Sequence, residues 1–137
     1  MADTPHITVE EIAGRPRASS GSPFEPIVGY CRAVRSGNLI TVSGTVGMNA
    51  DSTYPPTAAE QTRRALAIIA GAIEALGGRL EDVVRTRIFV TDIDKLEEIG
   101  RIHGEMFGAI RPATSMVEVS RLVGEAVVEI EADAVIP

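Results

Sequence analysis

Residues 35–44 read RSGNLITVSG and have the pattern of a tight β-hairpin. The runs on either side of the turn, residues 30–36 and 39–43, are both β-prone. Gly37 and Asn38 lie between them and tolerate the positive φ angles that a two-residue turn requires. Two β-prone runs joined by two such residues predict an antiparallel pair of strands.

A long helix is predicted next. Thr57 and Glu60 have the spacing of a capping box, in which each side chain satisfies a backbone N–H at the start of a helix. Apolar residues then recur at helical spacing and form one stripe: Ala65, Ile69, Ala72, Ile73 and Leu76. Gly77 and Gly78 are expected to end the helix, because glycine adopts the left-handed conformation of a C-terminal cap without strain.

The second half of the chain predicts a strand, a helix and two further strands. Residues 83–90 alternate, and four of them share one face: Val84, Thr86, Ile88 and Val90. The second helix is expected to begin near Asp92 or Asp94, with a stripe formed by Leu96, Ile99, His103 and Met106. Residues 115–122 and 126–135 are predicted to be the last two strands.

The remaining segments are less regular. Residues 7–12 alternate weakly and predict an edge strand, whereas residues 15–26 are rich in Ser, Gly, Pro and Arg and predict a loop. Residues 44–56 are mostly turn formers. The predicted order is therefore β-ββ-α-β-α-ββ, in a single domain of residues 1–137.

Each predicted helix has one apolar face, so both are expected on the same side of a single mixed sheet, which is an α+β fold. The other side of the sheet would then carry a mixture of polar and apolar side chains: Thr41, Ser43, Arg85, Arg87, Phe89, Met116 and Glu118. Such a surface suits contact between subunits, and closed homo-oligomers are the usual outcome.

Composition excludes several classes of function. The net charge is −6, and the arginines are scattered apart from Arg63 and Arg64, so no nucleic-acid partner is expected. No apolar run approaches the roughly 20 residues that a membrane-spanning helix needs, and the first residues have no secretory pattern. One cysteine and two separated histidines give no metal-ligand spacing, so neither a metal nor a cofactor is expected. These features predict a cytoplasmic protein.

Four separated runs, in register over nearly the whole chain beyond residue 28, resemble the Rid/YjgF family. The runs are RSGNLITVSG (35–44), EDVVRTRIFVTDID (81–94), RPATSMVEVSRL (111–122) and VEIEADAV (128–135). Members of that family have been called enamine/imine deaminases and, in older usage, L-PSP endoribonucleases. The resemblance implies a fold like that of bacterial chorismate mutase. It also implies a homotrimer whose packed sheets form a central barrel, with clefts for a small metabolite between neighbouring subunits.

Carried over by position, the resemblance implies a set of cleft residues. Those expected to bind substrate are Tyr30, Ser43, Gly44, Thr114, Ser115 and Met116, and Glu129 is expected to be catalytic. In active deaminases of the family an arginine grips the substrate carboxylate, and a glutamate on the last strand orients or activates water. This chain departs from the pattern, because Thr114 stands where the family motif P-A-R-S has its arginine. A hydroxyl cannot replace the charged, two-pronged contact of a guanidinium.

Arg32 is a candidate replacement for that arginine. It lies two residues from Tyr30 and would share its face in a regular strand. The alternative is that Arg32 makes a salt bridge or hydrogen bonds across the trimer interface. Cys31 is interpreted as a small packed residue rather than a nucleophile, and His103 as a histidine whose hydrogen bonds are satisfied at the core or the helix edge.

Three function classes follow from the sequence. The first is a hydrolase acting on reactive enamines, imines or related metabolites, with a specificity altered at Thr114. The second is a trimer that binds a metabolite without catalysis. The third is a ribonuclease, which the acidic charge disfavours.

Overall fold

The computed structural model describes residues 4–137, so residues 1–3 of the predicted domain lie outside the described part. These residues form one seven-stranded sheet in the order β1-β2-β3-β4-β7-β5-β6, in which only β5 and β6 run parallel. The strands are β1 Thr8–Ile12, β2 Arg15–Ser19, β3 Ala33–Ser36, β4 Leu39–Val46, β5 Val83–Val90, β6 Ala113–Glu118 and β7 Val128–Val135. The helices are α1 Phe24–Val28, α2 Ala58–Ala75 and α3 Leu96–Phe107. The predicted α+β class and the single mixed sheet are confirmed.

The hairpin and the first long helix form as predicted. Ser36 pairs with Leu39 across the turn, and Gly37 has a φ of 63°. The Thr57 side chain accepts a hydrogen bond from the Glu60 backbone N–H at 3.1 Å, which caps the start of α2. The Glu60 carboxylate accepts the Thr57 hydroxyl at 3.1 Å instead of a backbone N–H, so one half of the predicted capping box forms. Gly77 follows the helix with a φ of 89°.

Helices α2 and α3 pack together and bury apolar side chains against the same face of the sheet. In α3 the buried residues are Ile99, Ile102 and Phe107, whereas Leu96, predicted to belong to the stripe, is 51% exposed in the first turn of the helix.

Two segments predicted to be loops are partly regular. The prediction of a loop over residues 15–26 was wrong, because this segment contains strand β2 and the first residues of helix α1. Strand β2 pairs with β1 along its length but with β3 only at Arg17 and Ala18, so Pro16 lies where no hydrogen bond to β3 is required. Strand β4 continues to Val46, past the predicted end at residue 43, through a bulge between Val42 and Thr45.

The prediction that Met116 and Glu118 lie on the open face of the sheet was also wrong. Parallel pairing aligns Met116 with Ile88 and Glu118 with Val90, so these side chains point towards the helices. Val84 was predicted to share a face with Ile88, which is buried, but Val84 is 50% exposed because the pairing slips by one residue between Val83 and Arg85. The alternation of apolar and polar residues within one strand does not indicate which strand pairs with it or where that pairing slips. The orientation of Met116 and the exposure of Val84 therefore could not be predicted from periodicity.

Gln61 connects α2 to the start of β7. Its side chain is buried, with the amide nitrogen donating to the carbonyls of Pro55 and Glu125 at 3.2 and 3.1 Å. Its amide oxygen accepts the backbone N–H of Val127 at 2.9 Å. Three backbone groups therefore depend on one side chain just before the strand that carries Glu129.

Gln61→Leu is expected to lower the free energy of unfolding by about 3 kcal/mol, because it leaves several partly buried polar groups without partners. The matched control is Arg63→Ala on the same helix. Arg63 forms an exposed ion pair with Glu105 at 2.8 Å, and removing such a pair typically costs less than about 1 kcal/mol. Chemical denaturation at one fixed protein concentration measures both. Equal losses for the two variants would contradict the assigned role of Gln61.

Candidate functional site

A cleft of about 740 Å³ opens between the end of β4, the segment of residues 20–24 and the start of β7. It contains five of the residues expected at the site: Tyr30, Arg32, Ser43, Gly44 and Glu129. Apolar side chains form part of its wall, among them Phe24, Val28, Val46, Met48, Ile68 and Val123. A concave site with an apolar wall and a few converging polar groups is the usual form of a small-molecule site.

Gly44 permits the close approach of β4 to the Glu129 carboxyl group. A Cβ atom at residue 44 would lie 2.8 Å from Oε2 of Glu129, closer than two such atoms can approach. The need for glycine here is one of space, because Gly44 is not among the residues with positive φ. The bulge between Val42 and Thr45 places this glycine opposite the start of β7.

Burial raises the pKa of Glu129, and the neighbouring Glu131 carboxylate raises that pKa further, while the Arg32 guanidinium partly offsets both effects. Within residues 4–137 no hydrogen bond holds the Glu129 carboxyl group. A half-buried carboxyl group that is free of hydrogen bonds and has a raised pKa is suited to exchanging a proton with water or a ligand.

Arg32 is almost fully buried, and its guanidinium is committed to its own subunit. Its hydrogen bonds go to Ser20 Oγ at 3.1 Å, Gly44 O at 2.7 Å, Thr45 Oγ1 at 3.1 Å and the Tyr30 hydroxyl at 3.1 Å. Glu25 Oε2 lies 3.9 Å away and compensates the charge. Arg32 thus orients the Tyr30 phenol and the Gly44 carbonyl, and a direct role in binding substrate stays a prediction.

Thr114, Ser115 and Met116 do not line this cleft in the same subunit. They lie on β6, which is separated from β7 by β5. The Thr114 hydroxyl is 2.8 Å from that of Thr86, which in turn is 2.9 Å from Nε2 of His103. Thr114, Ser115 and Met116 can therefore meet Glu129 only through a neighbouring subunit, and their place at the site stays a prediction.

His103 is hydrogen-bonded and half-buried at the edge of α3, as its position on the helical stripe indicated. Burial lowers its pKa, and its ring packs against Phe107 with the ring centroids 4.6 Å apart. Cys31 is partly buried, and its backbone carbonyl accepts a hydrogen bond from the Ser43 hydroxyl at 2.7 Å. The contacts of His103 and Cys31 are therefore those of residues that help to hold the fold together.

Two residues near the cleft were missed by the sequence reasoning. Glu25 is buried, and its Oε2 accepts hydrogen bonds from the backbone N–H groups of Ser20 and Ser22 and from the Ser20 hydroxyl. The capping-box spacing of Ser22 and Glu25 was the available indication. Tyr54 lies in the segment predicted to be turns. Burial raises the pKa of its phenol, as do the Glu125 and Glu129 carboxylates, and nothing local in the sequence indicates this proximity.

Neither a metal cluster nor a membrane span is found in the described part of the chain. Among residues 4–137 no three His, Cys, Asp or Glu side chains are grouped closely enough to hold a metal ion. The same residues contain no helix with the length and apolarity needed to cross a bilayer.

Comparisons with known proteins agree with the fold. The family model described as "Endoribonuclease L-PSP" matches residues 21–136. A 2-iminobutanoate/2-iminopropanoate deaminase of Escherichia coli is 34% identical over 110 residues, which cover 77% of this chain and 86% of that protein. The crystal structure of a YjgF/YER057c/UK114 family member from Mycobacterium tuberculosis is 51% identical, with a TM-score of 0.83 and coverage of 89% and 99%. E. coli TdcF, crystallised with bound serine, is 26% identical, with a TM-score of 0.75 and coverage of 79% and 88%.

Proposed function

Because the chain belongs to the endoribonuclease L-PSP family, which is the Rid/YjgF family, we propose that it hydrolyses small imines or enamines. The observation that carries the proposal is the Glu129 carboxyl group, which is half-buried in a ligand-sized cleft and has a raised pKa. It is also free of hydrogen bonds within residues 4–137. The deaminase among the relatives supports imine hydrolysis, and the net charge of −6 favours it over cleavage of RNA.

In the proposed reaction the Glu129 carboxylate removes a proton from water as the water oxygen attacks the imine carbon. The C=N electron pair moves onto nitrogen, which takes up a proton, and a carbinolamine forms. The carbinolamine hydroxyl then loses its proton, the C–N bond breaks with a proton delivered to nitrogen, and a carbonyl compound and ammonia leave. The Tyr30 phenol, held by Arg32 at 3.1 Å, is placed to orient the ligand.

We further propose that the active form is a homotrimer with the cleft completed by the neighbouring subunit. The open face of the sheet supports this, because it carries partly exposed side chains that suit a subunit contact. Arg87 lies 3.5 Å from Glu131 and 3.4 Å from Asp133 on that face, and Phe89 pairs with the exposed Val117. Light scattering during size-exclusion chromatography should give about three times the chain mass of 14.5 kDa. A monomer would contradict the proposal.

The activity is tested by following imine loss with semicarbazide as the trap. An amino-acid oxidase supplies 2-imino acids, and an amine oxidase supplies aldimines without a carboxylate. Faster loss of either imine than in the protein-free control supports the proposal. If neither imine is lost faster at high protein concentration, the alternative of a non-catalytic metabolite-binding trimer is favoured.

Gly44→Ala is expected to reduce imine hydrolysis about tenfold to a hundredfold, because the new methyl group displaces the Glu129 carboxyl group from its position. The stability cost should be small, since the atom that must move is the end of a flexible side chain. Initial rates and thermal midpoints of the same preparations separate the two effects. Full activity in the variant would show that the present position of the carboxyl group is not required.

The pH dependence of hydrolysis should shift in opposite directions for two substitutions beside Glu129. Arg32 lowers the Glu129 pKa, so Arg32→Gln should move the acid limb of the rate profile to higher pH. Glu131 raises that pKa, so Glu131→Gln should move the limb to lower pH. The wild-type profile, and Tyr54→Phe as a variant that keeps the charges, serve as references. Shifts in the same direction, or none for Glu131→Gln, would contradict Glu129 as the titrating base.

A further inference from the structure

The charged groups that one subunit contributes to the cleft are not arranged to receive an anion, and the residues expected there from the neighbouring subunit, Thr114, Ser115 and Met116, carry no charge. Glu129 and Glu131 both face it from β7. The nearest counter-charge to Glu131 is Arg87, whose Nη1 lies 3.5 Å from Glu131 and is shared with Asp133 at 3.4 Å. These contacts are long and largely exposed, so they neutralise little of the carboxylate charge.

The two arginines on the cleft wall are already engaged. The Arg32 guanidinium donates to four oxygen atoms of its own subunit and lies 3.9 Å from Glu25, and the side chain is only 4% exposed. Arg64 is also buried and donates to the Met48 carbonyl at 3.2 Å. A ligand carboxylate would have to break these bonds to obtain the two-pronged contact that guanidinium offers. Among residues 4–137 of one subunit, the remaining basic side chain that lines the cleft is the exposed His6.

From this arrangement we infer that the cleft selects neutral or cationic carbonyl compounds and their imines over carboxylates of the same shape. The inference deepens the proposed function and rests on it, since it takes the same cleft as the ligand site. A carboxylate placed a few Å from Glu129 and Glu131 is repelled, whereas an uncharged amide is not and an ammonium group is attracted. The Tyr30 hydroxyl and the Ser43 oxygen remain able to hydrogen-bond a neutral ligand.

Three ketones of nearly equal size test the inference: 2-oxobutanoate, 2-oxobutanamide and 1-aminobutan-2-one. Their dissociation constants are measured by NMR titration of the full-length protein at pH 7, where an exposed imidazole is largely neutral and the α-amino group of the amine is still largely protonated. The amide and the amine are expected to bind at least about tenfold more tightly than the carboxylate. Added salt should reduce the difference in dissociation constant between the amine and the carboxylate, because it screens the charges of both ligands. Equal or tighter binding of 2-oxobutanoate overturns the inference, as does no binding of the amide at millimolar concentration.

Charge reversal at the mouth of the cleft provides the matched variants. Glu131 is only partly buried, so Glu131→Arg should fold and should improve binding of 2-oxobutanoate relative to the amide at least about tenfold. Glu97→Arg makes the same change in net charge on the exposed surface of α3 and should leave the ratio unchanged. A ratio altered equally by both variants overturns the inference, because only the overall charge would then matter.

The outcomes also separate this inference from the proposed function. If the wild type hydrolyses imines but binds 2-oxobutanoate as tightly as the amide, the reaction stands and the inference fails. If the amide preference holds but neither imine is hydrolysed, the proposed reaction fails and the cleft is a binding site for neutral or cationic ligands.

Discussion

Gly47→Ala should lower the free energy of unfolding by at least about 3 kcal/mol and leave little folded protein at physiological temperature. A Cβ atom at this position would lie 2.1 Å from the Gln61 carbonyl oxygen and 2.8 Å from two further backbone atoms of Gln61. Backbone atoms in the first turns of a helix cannot rotate away as a side chain can. The contact would therefore push α2 off the end of β4 and disturb the hydrogen bonds that Gln61 makes near the start of β7.

Gly100→Ala is the matched control for this substitution. Gly100 lies within α3 with open space around its missing Cβ, so alanine should raise stability by up to about 1 kcal/mol through its better helix propensity. Thermal and chemical denaturation of the two variants should give shifts of opposite sign. Similar stability for Gly47→Ala and the wild type would mean that α2 is not packed on β4 as closely as described.

Glu129→Gln should reduce imine hydrolysis about a hundredfold to ten-thousandfold, because an amide of the same shape cannot accept the proton of the attacking water. Ligand affinity should change far less than turnover. Steady-state rates and NMR titrations of the same variant separate these effects. Glu118→Gln is a suitable control, since Glu118 is a glutamate of β6 whose side chain lies on the helix side of the sheet and accepts the Ile93 N–H. Residual activity within a few-fold of the wild type would remove Glu129 from its catalytic role.

The same substitution should stabilise the protein slightly at neutral pH. Because the Glu129 pKa is raised on folding, the folded state binds this proton more tightly than the unfolded state does. Wild-type stability therefore falls as pH rises from the unfolded pKa, about 4.3, through the raised folded pKa, and the glutamine variant lacks that loss. A thermal midpoint above that of the wild type at pH 7.5, converging with it at low pH, is expected. A lower midpoint at pH 7.5 would indicate that the ionised carboxylate has a stabilising partner.

The sequence predicts those features that depend on short-range chemistry. The Gly37-Asn38 turn, the Thr57 cap and the stripe of α2 each depend on residues within a few positions of one another, and all three were confirmed. The orientation of Met116 depends instead on parallel pairing with a strand almost 30 residues earlier. Periodicity contains no information about that pairing, so the open face was assigned incorrectly at this point.

The candidate site shows the same division. Tyr30, Ser43, Gly44 and Glu129 were expected from the resemblance and Arg32 from its spacing to Tyr30, and the structure brings these five residues together in one cleft. The hydrogen-bond partners of Arg32 could not be predicted, because Ser20 belongs to a segment read as a loop and the Gly44 carbonyl is turned by a bulge. Contacts from several strands determine whether the Arg32 guanidinium is available to a ligand, and a local sequence pattern does not indicate such contacts.

A design that moves this cleft into another protein would have to include the β1–β2 hairpin. The hairpin lies before residue 21, outside the span matched by the family model, yet it reaches the site. The Ala18 carbonyl accepts the Arg32 backbone N–H at 2.8 Å, and Ser20 just beyond the hairpin accepts from the Arg32 side chain. The candidate site therefore extends beyond the span that the family model matches, and a graft that begins at residue 21 would include Glu129 but lack contacts that hold Arg32 in place.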